Sequence, residues 1–132
     1  ADAAILAAAP SDYRALAVAE QKIKRSGERL SIELIENPDI AAGLGQRKEG
    51  RVLVVFALET EKGLERAREK LARKGGDLIV LNMLSDEGAG FALDTNRVTF
   101  IDADGKEQAL PLLSKLAVAD RILDWVQGRR VQ

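Results

Sequence analysis

The chain has 132 residues with no cysteine and no histidine, and its 20 basic and 21 acidic residues leave a formal net charge of −1. This composition excludes disulfide bonds, a thiolate nucleophile and an imidazole-based catalytic triad, and so small a net charge argues against a general nucleic-acid-binding surface. The length suits one domain, no apolar run reaches the roughly 20 residues of a membrane span, and the absence of cysteine fits a cytoplasmic protein.

The first elements are predicted from short apolar patterns. Segment 3–8 is apolar and predicts a buried strand. Buried strands of parallel sheets have neighbours, so we expect this strand to belong to a larger fold that begins before Ala1; a short edge strand is the alternative. Segment 30–34 alternates apolar and polar residues and predicts a half-exposed strand. Asn37-Pro38-Asp39 predicts the start of a short helix, because Asn and Asp cap helices and Pro is tolerated in the first turn.

A strand–helix–strand unit is predicted next. Segment 52–56 is the clearest buried strand of the sequence, and Thr60 is predicted to cap the helix that follows. That helix is predicted from apolar residues at helical spacing, namely Leu64, Ala67 and Leu71. Gly75-Gly76 ends it, and segment 77–81 is a second buried strand. We therefore expect two parallel strands joined by a right-handed crossover.

The last third contains a loop, a hairpin and a helix. Segment 82–96 has no apolar periodicity and is long for a simple connection, so it is a candidate functional loop. Segments 98–101 and 106–110 flank a turn sequence and predict a β-hairpin. A final helix is predicted over 113–127, with one apolar face made of Leu116, Ala119, Ile122, Leu123 and Val126. The alternation of strands and helices indicates an α/β domain, which binds ligands beyond the carboxyl ends of its strands.

Two features allow more than one interpretation from the residues alone. Lys70 and Lys74 lie four positions apart, so they share a helix face and could hold a phosphate chain by charge. A solvated face is the commoner explanation, because charged residues of both signs surround them. Phe56 is either a core residue or a platform on which a base stacks. The acidic residues show no metal-ligand spacing, and there is no complete glycine-rich phosphate loop.

Seven short stretches occur in the same order as in one enzyme family: 7–13 (AAAPSDY), 22–25 (KIKR), 37–40 (NPDI), 56–60 (FALET), 70–74 (KLARK), 77–82 (DLIVLN) and 90–96 (GFALDTN). With them the chain resembles the phosphopantothenoylcysteine synthetases, or phosphopantothenate–cysteine ligases, which in bacteria often form the C-terminal half of a bifunctional coenzyme A biosynthesis protein. The resemblance implies a Rossmann-like α/β fold: a three-layer, mostly parallel sheet with a C-terminal β-hairpin and helix.

The resemblance also implies an activity. It implies that 4′-phosphopantothenate and L-cysteine are joined as an amide in a reaction driven by CTP with Mg²⁺, through an acyl-cytidylate. Both nucleophiles come from the substrates, which fits a chain without His or Cys. FMN is implied only if a decarboxylase domain is fused upstream. A homodimer is implied, with hairpin 98–110 and the preceding loop as the candidate contact surface, and neither nucleic acid nor a membrane is an expected partner.

A nucleotide site follows from the same resemblance. The residues that would bind the nucleotide are, in chain order, Leu6, Ala7, Ala8, Asp12, Lys22, Asn37, Pro38, Asp39, Ile40, Phe56, Lys70 and Lys74. Lys22 would also be catalytic, by stabilising charge at the α-phosphate. Asp12 would contact the ribose, and Phe56 and the turn 37–40 would surround the base. Asn82 is a possible residue of a substrate loop.

The chain departs from the family's pattern in three places. Pro10-Ser11 stands where Val-Ala usually precedes the aspartate, Val55 replaces a glycine, and Met83 replaces an aspartate. The larger Val55 side chain could crowd the ligand crevice. The family's glycine-rich first part is not among these residues, so we expect residues 1–132 to be the C-terminal portion of a synthetase domain, inactive in ligation alone. The alternative is a catalytically inactive nucleotide-binding or dimerisation module.

Overall fold

The computed structural model describes residues 1–83 and 94–130, with the side chain of Arg130 left out. These residues form two compact units. The sheet unit contains residues 1–7 and the chain from residue 41 onward, and the small unit contains residues 8–40. None of the described residues from 8 to 40 is buried, so the small unit has no buried core of its own.

Nine strands and three helices make up the described chain. In chain order they are β1 (Ala3–Leu6), β2 (Tyr13–Ala15), β3 (Leu34–Glu36), α1 (Ile40–Gln46), β4 (Val52–Glu59), α2 (Gly63–Lys74), β5 (Leu78–Met83), β6 (Thr95–Asn96), β7 (Val98–Asp102), β8 (Glu107–Ala109), β9 (Leu113–Ser114) and α3 (Lys115–Arg130). Strands β2 and β3 form an antiparallel pair in the small unit, and β6 and β9 form another in the sheet unit.

The main sheet has the order β1-β4-β5-β7-β8. Strands β1, β4 and β5 are parallel to one another, while β7 and β8 are antiparallel to their neighbours. The Rossmann-like α/β fold and the parallel unit β4–α2–β5 are thus confirmed. The predicted hairpin is the pair β7–β8, but β7 is also paired with β5, and its Val98, Phe100 and Ile101 are buried. The hairpin is therefore stabilised by its pairing with the sheet and does not need a partner chain to be stable.

Helices cover both faces of this sheet. On one face, α3 contributes Val118, Ile122 and Val126 to a buried apolar cluster with β4, β5 and β7. On the other face, the buried cluster includes Ala41 of α1 together with Ala67 and Leu71 of α2. The sheet unit therefore has the predicted three layers.

The start of α2 differs from the prediction. Strand β4 continues to Glu59, so Thr60 lies too early to cap the helix. The capping position is Lys62, which has a left-handed backbone (φ 53°, ψ 34°) and makes no side-chain capping hydrogen bond among the described residues. The other end is as predicted: Gly75 is left-handed (φ 60°), and its N–H donates to the Ala72 carbonyl at 3.1 Å.

Helix α3 packs with a different face from the predicted one. Of the predicted residues, Ile122 and Val126 are buried, whereas Leu116 and Leu123 are 75% and 50% exposed. Ala119 is exposed as well, and Val118, which was not predicted, is buried instead. The helix carries two apolar stripes, and the sheet selects the one that repeats every four residues from Val118.

Two other segments are shorter than predicted. The strand predicted over 30–34 begins only at Leu34, after the exposed Leu30 and Ile32. The loop predicted over 82–96 is bounded by β5 and β6, and its residues 84–93 lie outside the described part of the chain. No helix within the described ranges combines the length and apolarity that a membrane crossing requires.

Candidate functional site

The carboxyl ends of β1, β4 and β5 lie at one edge of the sheet unit. Leu6 ends β1 and pairs with Val55, so Leu6 and Phe56 occupy neighbouring positions on adjacent strands. Phe56 is half-buried and packs against the cluster on the α3 face, which makes at least part of its ring a core group. Ala7 follows β1 and is exposed. This is the edge at which open α/β sheets bind ligands.

A charged cleft extends from the end of β4 along α2. Its lining residues are Glu59, Arg66, Glu69, Lys70 and Arg73. Lys70 is half-buried, whereas Arg66, Glu69 and Arg73 are exposed. Lys74 is also half-buried and lies one turn further along α2. Lys70 thus lines the same cleft as Glu59, the last residue of β4, whereas Lys74 is the last residue of α2.

An ion pair inside the charged cleft was not predicted from the sequence. Arg66 Nη1 lies 3.7 Å from Glu59 Oε2, and the two side chains are 55% and 19% exposed. The available sequence pattern was the spacing of Arg66, Lys70 and Arg73, which places three basic residues along one face of a helix. Glu59 could not be added from that pattern, because it lies on the preceding strand.

The three departures from the family pattern have different structural effects. Val55 is 2% exposed and packs in the buried cluster on the α1 and α2 face. Met83 is half-buried and packs against Gly63 at the start of α2, where an added Cβ would lie 3.0 Å from Met83 Cε. Met83 therefore fills the space that a side chain at position 63 would need, and a glycine fits there. Pro10 is exposed.

Asn82 lies in a strand, not in a loop as predicted. It is part of β5 and pairs with Leu58 on one side and Val98 on the other. Its Oδ1 atom is buried and has no hydrogen-bond partner within the described structure, and the same holds for Asn96 Oδ1. A buried acceptor left without a partner costs about 1–3 kcal/mol. The Asn82 oxygen is therefore a candidate acceptor for a donor group of a ligand.

Asn37 organises the predicted turn of the small unit. Its N–H donates to the Asp12 carbonyl at 2.8 Å, and its Nδ2 donates to the Ser11 carbonyl at 2.8 Å. Its Oδ1 accepts a hydrogen bond from Arg14 Nη1 at 2.9 Å. The structure thus joins the backbone of Asp12 to the start of the turn 37–40. Both polar groups of the Asn37 side chain bind the protein itself, which gives this residue a structural role.

The other predicted residues of the small unit are exposed. Lys22 lies in segment 16–33, which the structure describes without a helix or strand. The exposed residues that were predicted to bind the nucleotide in this unit are Ala8, Asp12, Lys22, Pro38, Asp39 and Ile40. Among the described residues of the chain, no group of three or more acidic side chains is placed to hold a metal ion.

The opposite, amino-terminal edge of the sheet is occupied by paired charges. A cavity of about 540 Å³ there is lined by residues that include Lys48, Arg51, Asp77 and Arg129. Lys48 pairs with Asp77 at 2.7 Å. Arg129 pairs with Asp104 at 2.8 Å, and this hydrogen bond raises the pKa of the Arg129 guanidinium. The first pair joins the loop before β4 to the residue that precedes β5, and the second joins α3 to the turn between β7 and β8.

Comparison with known proteins relates the chain to one family. Residues 1–129 match the DNA/pantothenate metabolism flavoprotein C-terminal domain. A cysteine/cysteine sulfinic acid decarboxylase from an unknown prokaryotic organism is 46% identical over 123 residues, which are 92% of this chain and 34% of that protein. The coenzyme A biosynthesis bifunctional protein CoaBC of Bacillus subtilis (strain 168) is 42% identical over 122 residues, or 92% of this chain and 30% of that protein.

A solved structure gives the same relationship. The crystal structure of the C-terminal domain of the coenzyme A biosynthesis bifunctional protein CoaBC matches with a TM-score of 0.75 and 35% sequence identity, and the match covers 96% of this chain and 54% of that one. The chain spans about a third of the length of the curated relatives it matches.

Proposed function

The chain belongs to the DNA/pantothenate metabolism flavoprotein C-terminal domain family, and from that premise we propose that it supplies most of the nucleotide site of a CTP-dependent phosphopantothenate–cysteine ligase in coenzyme A biosynthesis. The homology to the C-terminal part of CoaBC supports this proposal. The structural observation that carries it is the charged cleft, because three basic side chains of α2 line it beside Glu59, the last residue of β4.

The proposed reaction has two displacements. A carboxylate oxygen of 4′-phosphopantothenate attacks the α-phosphorus of CTP, and pyrophosphate leaves. The amine of L-cysteine then attacks the acyl carbon, loses a proton and displaces CMP, which forms the amide. Neither step needs a nucleophile from the protein, so the protein contributes positioning and charge. Lys22 would stabilise charge at the α-phosphate, while Lys70 and Lys74 would attract the phosphate chain.

Mg²⁺ and FMN are the two other groups expected to bind the protein. Mg²⁺ would accompany CTP, and because the described residues form no acidic cluster, phosphate oxygens and water would be its main ligands. FMN would belong to a decarboxylase domain elsewhere in the gene product, a possibility consistent with the similarity to a protein named as a decarboxylase. We also propose a homodimer and a cytoplasmic location.

Calorimetry and a product assay on the full-length protein test the proposal. We expect CTP to bind with Mg²⁺ more tightly than ATP or UTP, and phosphopantothenoylcysteine and pyrophosphate to form only when CTP is present. The alternative, a catalytically inactive nucleotide-binding or dimerisation module, predicts no amide product. Residues 1–132 alone are expected to form no amide, and product formation by this segment would contradict the assignment as a partial domain.

A further inference from the structure

The charged cleft contains a carboxylate close to where the phosphate chain is proposed to bind. Glu59 ends β4, and only 19% of its side chain is exposed, so water screens its charge incompletely. It lines the same cleft as Lys70. A free negative charge there would repel a polyphosphate that approaches Lys70. Nucleotide binding in this cleft therefore requires the charge of Glu59 to be offset.

Arg66 is placed to offset that charge. Its guanidinium approaches the Glu59 carboxylate at 3.7 Å, beyond ordinary hydrogen-bond length but within ion-pair range. Arg66 and Lys70 lie one turn apart on α2, so a cation at Arg66 faces the same cleft. The remaining lining residues, Glu69 and Arg73, carry opposite charges, so they add no net charge to the cleft.

We propose that Arg66 is a positioning residue of the nucleotide site: by neutralising Glu59, it allows Lys70 to attract the polyphosphate chain. This inference rests on the proposed function, because CTP is the ligand concerned. It assigns a distinct role to a residue that does not itself hold the phosphate. Its consequence is that Arg66 becomes dispensable once the charge of Glu59 has been removed.

A double-mutant cycle in the full-length protein tests this coupling. The variants are Arg66→Gln, Glu59→Gln and the pair together, and calorimetry measures their affinity for CTP, CDP and CMP with Mg²⁺. We expect Arg66→Gln to weaken CTP binding about three- to fivefold, as suits a partly exposed ion pair. The loss should be smaller for CMP, and the double variant should regain the wild-type affinity. Arg66→Lys should retain CTP binding, because it keeps the charge.

Arg68→Gln is the matched control, since Arg68 lies on the same helix and pairs with Glu107 on β8 instead. It should leave the CTP affinity unchanged. An unchanged affinity in Arg66→Gln overturns the inference, and so does a double variant that binds as weakly as Arg66→Gln, because Arg66 would then hold the phosphate itself. If the wild-type protein binds no CTP, the proposed function fails and the inference fails with it. A wild-type protein that binds CTP without this coupling contradicts the inference alone.

Discussion

Lys48 and Asp77 form an ion pair at the amino-terminal edge of the central sheet, with 2.7 Å between Lys48 Nζ and Asp77 Oδ1. The second carboxylate oxygen of Asp77 accepts a hydrogen bond from the Leu53 N–H at 2.8 Å. The Asp77 N–H in turn donates to the Leu53 carbonyl at 2.8 Å. Asp77 therefore fastens the start of β5 to β4, and the aspartate of the DLIVLN stretch has a structural role in this chain.

Replacing Asp77 should destabilise the sheet more than replacing Lys48. Asp77→Ala leaves the Leu53 N–H without its acceptor, and we expect the free energy of unfolding to fall by about 1–3 kcal/mol. Lys48→Ala removes only a partly exposed ion pair and should cost no more than about 1 kcal/mol. Asp77→Asn keeps an acceptor for Leu53 and should fall between the two. Urea unfolding measures all three, and equal losses for Asp77→Ala and Lys48→Ala would contradict this assignment.

Gly45 should be intolerant of any side chain, because α1 packs against the end of α2 at this residue. A Cβ on Gly45 would overlap the carbonyl oxygen of Lys74 and lie 3.2 Å from Gly75 Cα. Backbone atoms cannot turn away, so we expect Gly45→Ala to lower the free energy of unfolding by about 1–3 kcal/mol. The effect would also displace α2 near Lys74, and CTP binding should weaken in the same variant.

Gly43→Ala is the control for Gly45→Ala on the same helix. The added Cβ at Gly43 would meet only the flexible end of Arg47, at 3.8 Å. Because alanine favours a helix over glycine by about 1 kcal/mol, this variant should be as stable as the wild type or more so. If both substitutions lower the free energy of unfolding, the contact with Lys74 does not explain the effect of Gly45→Ala.

The central strands and their connecting helix could be predicted from the sequence because each has an unambiguous pattern. Residues 52–56 and 78–81 are apolar throughout, as buried parallel strands are, and Gly75-Gly76 ends α2 with the expected left-handed residue. The face of α3 could not be predicted, because two apolar stripes compete and only contact with the sheet decides between them. Thr60 failed as a cap because pairing with β5 extends β4 as far as Glu59.

The buried stripe of α3 gives a direct test of that correction. Ile122 is 4% exposed and its neighbour Leu123 is 50% exposed. Ile122→Ala should therefore lower the free energy of unfolding by about 2–5 kcal/mol, through lost burial and the cavity left behind. Leu123→Ala removes a similar volume from the surface and should cost below about 1 kcal/mol. Thermal unfolding of the two variants compares them, and a larger loss at Leu123 would contradict the observed packing of α3.

Residues of the candidate site differ in how far the sequence could predict them. The resemblance singled out Lys70, and the structure places it in a cleft at a strand end. Glu59 and Arg66 required the structure, since their contact joins a strand to a helix and depends on where β4 ends. Asn82 was expected in a loop, because an asparagine interrupts the apolar run. Pairing with Leu58 and Val98 nevertheless extends β5 through it.

Lys22 should be needed for turnover and not for folding. It is exposed, in a segment that the structure describes without a helix or strand, so Lys22→Ala should change the free energy of unfolding by less than about 0.5 kcal/mol. Loss of a cation that stabilises charge at the α-phosphate should lower kcat by about 10²-fold or more, with a smaller effect on KM. A CTP-dependent pyrophosphate assay and thermal unfolding of the full-length protein measure both quantities. Arg29→Ala is the control, because Arg29 is exposed in the same segment and has no proposed contact with the nucleotide.

If Lys22→Ala instead lowers Tm in proportion to its loss of turnover, Lys22 is a structural residue and the α-phosphate needs another source of positive charge.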